Sequence, residues 1–253
     1  MKYTVITGAS SGIGYETALA LAARGKNLIL AARRTEELKK LKSKVAEINA
    51  NLDVVIRTVD LSVAANIYEF YESLGHYQIE TWINNAGFGN FASVGEQNLN
   101  KIEKMLHLNI EALTILSSLY VHDYAYVEGT QLINVSSGGG YVIVADAVTY
   151  CATKFYVSAF TEGLAQELKE KGAPMQAKVL APAATETEFA KRSLDTDEFQ
   201  YEAVIPKFHT AKEMAEFMLE LYDSEKVVGI VNGETYEFQL RDPIYPYVMR
   251  TRK

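Results

Sequence analysis

Two side chains that can exchange a proton, Tyr150 and Lys154, stand four positions apart in a segment with helical periodicity. This spacing predicts that both lie on one helix face, with the lysine ammonium beside the phenol, where it favours the ionised phenolate. Free tyrosine titrates near pH ~10, which is too high for efficient proton transfer at neutral pH. The pair therefore indicates a general acid/base. The alternative is an ordinary helix whose lysine extends to solvent.

Two further polar residues suit the same chemistry. Ser136-Ser137 ends a predicted strand, at the edge of the sheet where ligands bind in α/β proteins. The Ser137 hydroxyl can donate a hydrogen bond to a substrate oxygen as negative charge grows on that oxygen. Asn109 lies on an otherwise apolar predicted helix face, where the alternative is a core residue with satisfied hydrogen bonds.

A glycine-rich turn near the start of the chain could bind a phosphate. Residues 3–6 form a β-branched and aromatic run, residues 7–14 read TGASSGIG, and apolar residues at helical spacing follow. Backbone that passes close to an anion needs glycine, because a Cβ would block both the approach and the φ > 0 conformations. The free N–H groups and positive dipole end of the next helix then bind the negative charge. The alternative is an ordinary strand-to-helix turn.

The elements that must position these residues alternate between short apolar strands and amphipathic helices. Strands buried on both faces and separated by helices are typical of a parallel sheet, and right-handed crossovers give it a doubly wound order. The predicted strands span residues 3–6, 27–32, 53–59, 81–84, 131–136, 176–180 and 227–231. The longest predicted helices span residues 99–120 and 149–171. Thr35 is predicted to cap one helix, and Thr210 with Glu213 to form a capping box for another.

Two segments fall outside this alternation. Residues 183–209 are predicted to be an irregular lid, since loops of that length in compact domains are usually functional or disordered. Asn232-Gly233 is either a hairpin turn or a plain turn into a tail, residues 234–253. We expect the tail aromatics Tyr236, Phe238, Tyr245 and Tyr247 to pack on a neighbouring subunit, with disorder of the last residues as the alternative.

Together the motifs resemble the short-chain dehydrogenase/reductase family over about residues 3–231. The resemblance rests on Thr-Gly-x-x-x-Gly-x-Gly at residues 7–14, Asn-Asn-Ala-Gly at residues 84–87, and Ser137 followed by Tyr150-x-x-x-Lys154. It implies a single Rossmann-like domain over residues 1–253, with a mostly parallel seven-stranded sheet and helices on both faces. It also implies that Asn109, Ser137, Tyr150 and Lys154 are catalytic, with Asn109 bending its helix and holding a water that connects to Lys154.

The end of the second predicted strand bears on the cofactor. Here Ala32 is followed by Arg33 and Arg34, with none of the carboxylates that would repel a 2′-phosphate, so NADP(H) is the expected cofactor. The alternative is a basic helix entry facing solvent. By resemblance Asp60 binds adenine, the backbone of Thr185 meets the carboxamide, and Thr187 meets the carboxamide or pyrophosphate. The expected cofactor-binding residues are Gly8, Ser10, Ser11, Gly12, Ile13, Gly14, Arg33, Arg34, Asp60, Leu61, Asn85, Ala86, Gly87, Tyr150, Lys154, Pro182, Thr185 and Thr187.

Composition excludes several other classes of protein. The chain has 253 residues, a net charge of −7 and 48% hydrophobic residues, which suits one globular domain and argues against nucleic acid or an anionic membrane as partner. The one cysteine, Cys151, excludes an internal disulfide, and the histidine spacing predicts no metal site. We expect a cytoplasmic protein, and the resemblance implies a homodimer or homotetramer.

The expected function is NADP-dependent interconversion of an alcohol and a carbonyl by hydride transfer. Two alternatives remain open, an NADP-sensing regulator and a non-redox epimerase or dehydratase on the same fold. A partly apolar small molecule that is not strongly anionic is the expected substrate, beside Phe88, Asn90, Phe91, Val144, Phe189, Asp195, Asp197 and Glu198. Two departures from the family pattern are Ala183, where glycine is usual, and the mobile run Gly138-Gly139-Gly140.

Overall fold

The computed structural model describes residues 1–249. Its strands are β1 (Lys2–Thr7), β2 (Asn27–Ala32), β3 (Val54–Thr58), β4 (Gln78–Asn84), β5 (Gln131–Val135), β6 (Gln176–Ala181), β7 (Thr185–Glu186), β8 (His209–Thr210), β9 (Val228–Val231) and β10 (Phe238–Arg241). Its α-helices are α1 (Gly12–Ala23), α2 (Thr35–Ile48), α3 (Ala64–Glu72), α4 (Leu99–Leu106), α5 (Leu113–Tyr124), α6 (Val148–Glu170), α7 (Phe189–Leu194), α8 (Tyr201–Val204) and α9 (Ala211–Asp223).

The main sheet has the order β10-β9-β6-β5-β4-β1-β2-β3. All neighbours are parallel except β9 and β10, which are antiparallel. The predicted mostly parallel, doubly wound sheet is therefore confirmed, but within residues 1–249 it has eight strands and not seven. The additional strand is β10. It forms because the chain turns back after Asn232 and pairs with β9, as in the hairpin alternative of the sequence analysis. The strand order reverses beside β1 and β4, so their carboxyl ends open a crevice.

Helices cover both faces of this sheet. On one face α1, α2 and α9 bury a cluster that includes Leu21 and Met218. On the other face α3, α5 and α6 pack over the sheet, and the ring of Tyr120 on α5 lies 5.7 Å from that of Trp82 on β4. Because helices cover both apolar faces, the strands are fixed in place. Their carboxyl ends therefore position the polar residues that follow them.

The lid, residues 183–209, is more regular than predicted. It contains the short helices α7 and α8, and its two ends pair as β7 and β8, with Thr185 opposite His209. The capping box at Thr210 and Glu213 is confirmed. The pairing of β7 with β8 ties both ends of the lid together beside the sheet.

The predicted cap at Thr35 is wrong. Arg34 occupies the N-cap position of α2, and Thr35 is already the first helical residue. The Thr35 hydroxyl lies 2.8 Å from that of Thr58 at the end of β3. A contact between two segments that are distant in sequence therefore replaces the local cap.

Three of the tail aromatics pack on their own chain, and their contact with a neighbouring subunit stays a prediction. The ring pairs are Tyr236 with His209, Phe238 with Phe217, and Tyr245 with Tyr141. Tyr247 is 41% exposed. The alternative of a disordered end concerns residues 250–253, which lie outside the described residues.

None of the helices within residues 1–249 has both the length and the apolar character needed to cross a membrane.

Candidate active site

A cavity of about 800 Å³ lies at the carboxyl ends of the parallel strands. This volume is in the range of pockets that bind small molecules and cofactors. Every residue that the sequence indicated as catalytic or cofactor-binding lines the cavity, except Gly14 and Asn109. The structure therefore brings together residues from the first turn, β2, β4, β5, α6 and the lid.

The glycine turn forms one end of the cavity. Gly8 and Gly12 have φ angles of +68° and +58°, a region that residues with a Cβ rarely adopt. A Cβ on Gly14 would lie 2.4 Å from Nδ2 of Asn85, so this glycine lets α1 approach β4 although it does not line the cavity. The N-cap residue of α1, Ser11, makes no side-chain hydrogen bond to the helix, and no acidic residue lies in the first turn. The helix end can therefore receive an anion.

Asn85 fixes the glycine turn to β4. Its Nδ2 donates hydrogen bonds to the carbonyl oxygens of Thr7 and Gly8 at 2.9 and 3.2 Å. The Thr7 hydroxyl accepts hydrogen bonds from the backbone N–H groups of Asn85 and Ala86, both at 3.0 Å. These hydrogen bonds hold the carboxyl ends of β1 and β4 together beside the crevice.

The structure changes the expected environment of Arg34. This guanidinium donates to the side chain and carbonyl oxygen of Ser10, and it forms a forked ion pair with Glu188 at 3.0 and 3.1 Å. Burial alone would raise the pKa of Glu188, but hydrogen bonding from Arg34 and the charge of Arg192 hold it below its usual value. The end of β2 itself has no acidic residue, but the lid brings the Glu188 carboxylate to Arg34.

Arg33 lines the cavity and, within residues 1–249, forms no ion pair or hydrogen bond through its side chain. Its positive charge acts on Asp60, whose Oδ1 accepts two hydrogen bonds from Ser62, at 2.7 and 3.0 Å. Burial opposes ionisation of Asp60, but these hydrogen bonds and Arg33 lower its pKa overall. Asp60 is thus a charged acceptor beside an unpaired guanidinium.

Ser137 and Tyr150 meet at the other end of the cavity. Ser137 follows β5 and Tyr150 lies in the first turn of α6, and both side chains line the cavity beside Gly139. Burial raises the pKa of Tyr150 above its ordinary value, although Ser137 opposes the rise. Tyr150 is therefore protonated at neutral pH.

Lys154 is buried one helical turn after Tyr150, and its Nζ donates a hydrogen bond of 2.9 Å to the carbonyl oxygen of Val135. Burial lowers the pKa of Lys154 to about 8. The two residues share a helix face as predicted, but Nζ is 5.9 Å from the centre of the Tyr150 ring. The predicted lowering of the Tyr150 pKa by an adjacent ammonium is not seen, because burial dominates.

Asn109 lies behind this pair, outside the cavity lining. The predicted long helix is interrupted there by a π-helical segment, His107–Ala112. The Asn109 side chain bonds both backbone groups of Phe88 and donates to the hydroxyl of Thr153 at 3.1 Å. A Cβ on Gly87 would lie 3.1 Å from Oδ1 of Asn109 and 3.5 Å from Nζ of Lys154. The side chain of Asn109 therefore packs against Gly87, near the ammonium group of Lys154.

The segment after β6 crosses the glycine turn. Thr187 packs on Gly12, where a Cβ would lie 3.0 Å from its methyl group. The carbonyl oxygen of Pro182 accepts a hydrogen bond of 2.7 Å from the N–H of Gly138. Ala183 is not among the positive-φ residues of the described chain, so alanine in place of the usual glycine causes no strain.

Aromatic and aliphatic side chains surround Tyr150. The rings of Phe189 and Phe91 lie 5.3 and 6.4 Å from it. Of the expected substrate-side residues, five line the cavity, namely Phe88, Phe91, Val144, Phe189 and Asp195. The lining does not include Asn90, which is buried, or Asp197 and Glu198, which are exposed on the lid.

Sequence reasoning missed several lining residues. Glu188, Arg192, Phe199, Tyr201 and Ile205 come from the lid, and Tyr236 comes from the tail. Lid residues follow no periodicity, so only their charge and aromatic character was available as a signal. Cys151 is a free cysteine and is buried. Within the described part of the chain, no three His, Cys, Asp or Glu residues are grouped so that they could hold a metal ion.

Fold and cavity together define an α/β protein whose cavity has a glycine-rich turn at one end and the side chains of Ser137, Tyr150 and Lys154 at the other. The family model described as short chain dehydrogenase matches residues 2–198. The chain therefore belongs to the short-chain dehydrogenase/reductase family, whose members are oxidoreductases that use nicotinamide cofactors.

Relatives and solved structures agree with this assignment. An uncharacterized oxidoreductase of Staphylococcus saprophyticus is 33% identical over 196 residues, which cover 78% of this chain and 79% of the relative. A short-chain dehydrogenase from Sphingobium yanoikuyae, solved in complex with NADPH, has a TM-score of 0.83 and 28% identity, covering 91% of this chain and 87% of that one. A bulky-bulky ketone specific alcohol dehydrogenase from Comamonas testosteroni has a TM-score of 0.78 and 27% identity, covering 91% and 86%.

Proposed function

We propose that this protein is an NADP-dependent oxidoreductase that interconverts a carbonyl compound and an alcohol. One observation carries the proposal. The Tyr150, Ser137 and Lys154 side chains line one end of a continuous cavity whose other end is formed by the glycine turn and two arginines. A bound nicotinamide supplies a hydride to the carbonyl carbon, or accepts one from the alcohol carbon in the reverse direction.

Tyr150 is the general acid in reduction. Its hydroxyl transfers a proton to the substrate oxygen as the carbon–hydrogen bond forms at the carbonyl carbon, so the product is a neutral alcohol. Burial keeps Tyr150 protonated before the transfer. In oxidation the phenolate takes the proton back from the alcohol.

Ser137 positions the substrate oxygen. Its hydroxyl lines the same end of the cavity as that of Tyr150, so a substrate oxygen there could accept a hydrogen bond from each. Removing a donor of this kind typically costs about 10²- to 10³-fold in turnover.

Lys154 supplies the positive charge at the end of the cavity that contains Tyr150. Within residues 1–249 one of its three N–H donors is bonded, to Val135, and the side chain lines the cavity. The remaining donors can hold cofactor ribose hydroxyls, and the charge favours the phenolate that Tyr150 becomes. Asn109 would hold the water through which Tyr150 regains its proton, because it packs beneath Gly87 near Nζ of Lys154.

The cofactor preference for NADP(H) is supported by Arg33 and Arg34 at the adenosine end of the cavity. Arg33 is the guanidinium available to a 2′-phosphate, whereas Arg34 is paired with Glu188. The Sphingobium yanoikuyae relative was solved with NADPH, which agrees with this preference. The glycine turn, Asp60, Leu61, residues 85–87, Pro182, Thr185 and Thr187 would hold the rest of the cofactor.

The substrate is an uncharged, largely apolar carbonyl compound. Phe91, Phe189 and Tyr150 surround the reacting position, and Val142, Val144 and Ala147 continue the apolar wall. Burying a charged substrate group there would carry a large desolvation penalty. We further propose that residues 1–253 form one catalytic domain, and that the protein acts in the cytoplasm as a homodimer or homotetramer, without nucleic-acid or membrane partners.

The test is to follow NADPH absorbance with purified protein and a panel of aldehydes, bulky ketones, diketones and 3-oxoacyl thioesters, and to repeat it with NADH. We expect turnover of an apolar ketone with NADPH, and a higher KM for NADPH in Arg33→Ala. Arg24→Ala is the matched control, because Arg24 pairs with Asp223 on the surface. Tight NADPH binding without turnover on any compound would contradict the proposal and favour a regulator, and product formation without a change in NADPH would favour an epimerase or dehydratase.

A further inference from the structure

The tail returns to the catalytic end of its own chain after β10. The backbone N–H groups of Ile244 and Tyr245 both donate to Oε2 of Glu162 on α6. The Tyr245 hydroxyl donates a hydrogen bond of 2.6 Å to the carbonyl oxygen of Gly140. The tail therefore reaches the triple-glycine loop, Gly138–Gly140, which follows Ser137.

Glu162 joins the tail to this loop. The residue is 2% exposed, and its Oε1 accepts a hydrogen bond of 2.6 Å from the hydroxyl of Tyr141, the residue after the loop. The rings of Tyr141 and Tyr245 also stack, with centres 5.5 Å apart and planes 14° apart. A buried carboxylate needs such donors, so Glu162, Tyr141 and the tail depend on one another.

Both tyrosines donate these hydrogen bonds at neutral pH. Burial and then the Glu162 carboxylate raise the pKa of Tyr245 to about 12. The same two causes, in the same order, raise the pKa of Tyr141 above its ordinary value.

The loop that these contacts hold loses a large conformational entropy on folding. Glycine loses more backbone freedom on folding than any other residue, and here three occur in succession. Gly140 is held against β5 and α6, since a Cβ would lie 2.4 Å from the hydroxyl of Ser136 and 2.7 Å from the carbonyl oxygen of Lys154. Only a glycine fits there, and the Tyr245 hydroxyl adds a hydrogen bond from outside the loop to those that Gly139 and Gly140 donate to Ser137.

We propose that Tyr245 and Glu162 are positioning residues for the reaction, and that they act by fixing the triple-glycine loop and thereby the hydroxyl of Ser137. The inference rests on the proposed function of Ser137. The family model ends at residue 198, so the tail lies beyond the matched region. In this chain the tail contact therefore offsets the backbone freedom of the three glycines.

The first experiment is a double-mutant cycle on kcat for reduction, using Tyr245→Phe and Ser137→Ala. We expect Tyr245→Phe alone to lower kcat about fivefold, which corresponds to about 1 kcal/mol, with the Kd for NADPH unchanged. In the Ser137→Ala background the same change should lower kcat by less than about twofold, because the residue through which Tyr245 acts is gone. Tyr141→Phe should show the same pattern. An equal loss in both backgrounds, or no loss in either, overturns the proposal.

Tyr247→Phe is the matched control from the same tail. Its hydroxyl donates to Glu170 at the exposed end of α6, 3.1 Å away, so its loss should leave kcat unchanged. A loss in Tyr247→Phe equal to that in Tyr245→Phe would mean that the tail acts on general stability and would overturn the proposal.

A second measurement separates this inference from the proposed function. The N–H groups of Gly140 and Tyr141 donate to the carbonyl oxygens of Ser137 and Gly138, so their hydrogen exchange reports opening of the loop without any turnover. We expect exchange about fivefold faster in Tyr245→Phe and unchanged in Tyr247→Phe. Unchanged exchange in Tyr245→Phe overturns the ordering role, whereas a wild-type protein that reduces no carbonyl contradicts the proposed function alone.

Discussion

Two buried lysines, in two regions of the molecule, use their ammonium groups in different ways. Nζ of Lys178, on β6, donates to the carbonyl oxygens of Leu221, Tyr222 and Ser224 at the end of α9, at 3.1, 2.9 and 2.6 Å. Nζ of Lys154 donates within residues 1–249 to the single carbonyl oxygen of Val135. Burial lowers the pKa of both to about 8.

The difference distinguishes a structural from a functional charge. An ammonium has three donors, and Lys178 uses all of them to satisfy the free carbonyls of a helix C-terminus. Lys154 is equally costly to bury but lines the cavity with donors to spare. Lys154 therefore has donors left for a ligand, as its proposed role in holding the cofactor requires.

Lys154→Met should give the largest loss of turnover, and it tests whether the two lysines differ in function. We expect turnover to fall about 10³-fold, because the charge that favours the Tyr150 phenolate is lost. The free energy of unfolding should rise by about 1–2 kcal/mol, because a poorly bonded buried charge is replaced by an apolar side chain of similar length. Steady-state kinetics and denaturant unfolding measure the two quantities. A Lys154→Met protein that is less stable than wild type would show that Lys154, like Lys178, stabilises the fold, and would contradict this distinction.

Lys178→Met should have the opposite effect. We expect the free energy of unfolding to fall by about 2 kcal/mol, because three carbonyl groups lose a charged donor, while kcat stays within about twofold of wild type. Urea unfolding and kinetics test this. Lys169→Met, an exposed change on α6, should change stability by less than about 0.5 kcal/mol.

The pH dependence of reduction should follow Lys154. Its pKa in the folded protein, about 8, lies below its ordinary value, so its proton is lost as the pH rises through 8. Tyr150 keeps its own proton in this range because burial raises its pKa. We expect kcat/KM to be level below pH 8 and to fall about tenfold for each further pH unit. Lys154→Arg keeps its charge, so any residual activity should lack this fall, and a level wild-type profile to pH 10 would contradict the assignment.

Two arginines that line the cavity, Arg34 and Arg192, have donors engaged by Glu188, and Glu188→Gln tests this smaller contrast. Glu188 pairs with Arg34, so a 2′-phosphate must compete with this carboxylate. We expect Glu188→Gln to lower the Kd for NADPH about threefold and to leave the Kd for NADH unchanged, as for an ion pair exposed to solvent. Glu186→Gln, on the same segment but exposed, is the control. Equal tightening of both cofactors would show that Glu188 does not face the phosphate.

The parts of the site that sequence predicts are those fixed by local pattern. The glycine turn, Asn85, Ser137, Tyr150 and Lys154 occur in short motifs at strand ends, and the alternating periodicity gives the sheet order that brings these ends together. The sheet therefore followed from sequence, except for β10, whose hairpin was one of two alternatives.

What sequence did not predict depends on contacts between distant positions. Glu188 meets Arg34 across 154 residues, and Ile244 meets Glu162 across 82. No local spacing encodes either pair. The failed cap at Thr35 has the same cause, since its hydroxyl bonds Thr58. The Tyr150 pKa was predicted from its neighbour in the helix, whereas burial by Phe91 and Phe189 from elsewhere in the chain decides it.

The most direct test of the account is Tyr150→Phe, with turnover and NADPH affinity measured on the same preparation. The change removes one hydroxyl and leaves the ring between Phe91 and Phe189. We predict that reduction falls by at least about 10³-fold while the Kd for NADPH changes by less than about threefold. Loss of turnover and NADPH binding together, or turnover within tenfold of wild type, would contradict the assignment of Tyr150 as the general acid.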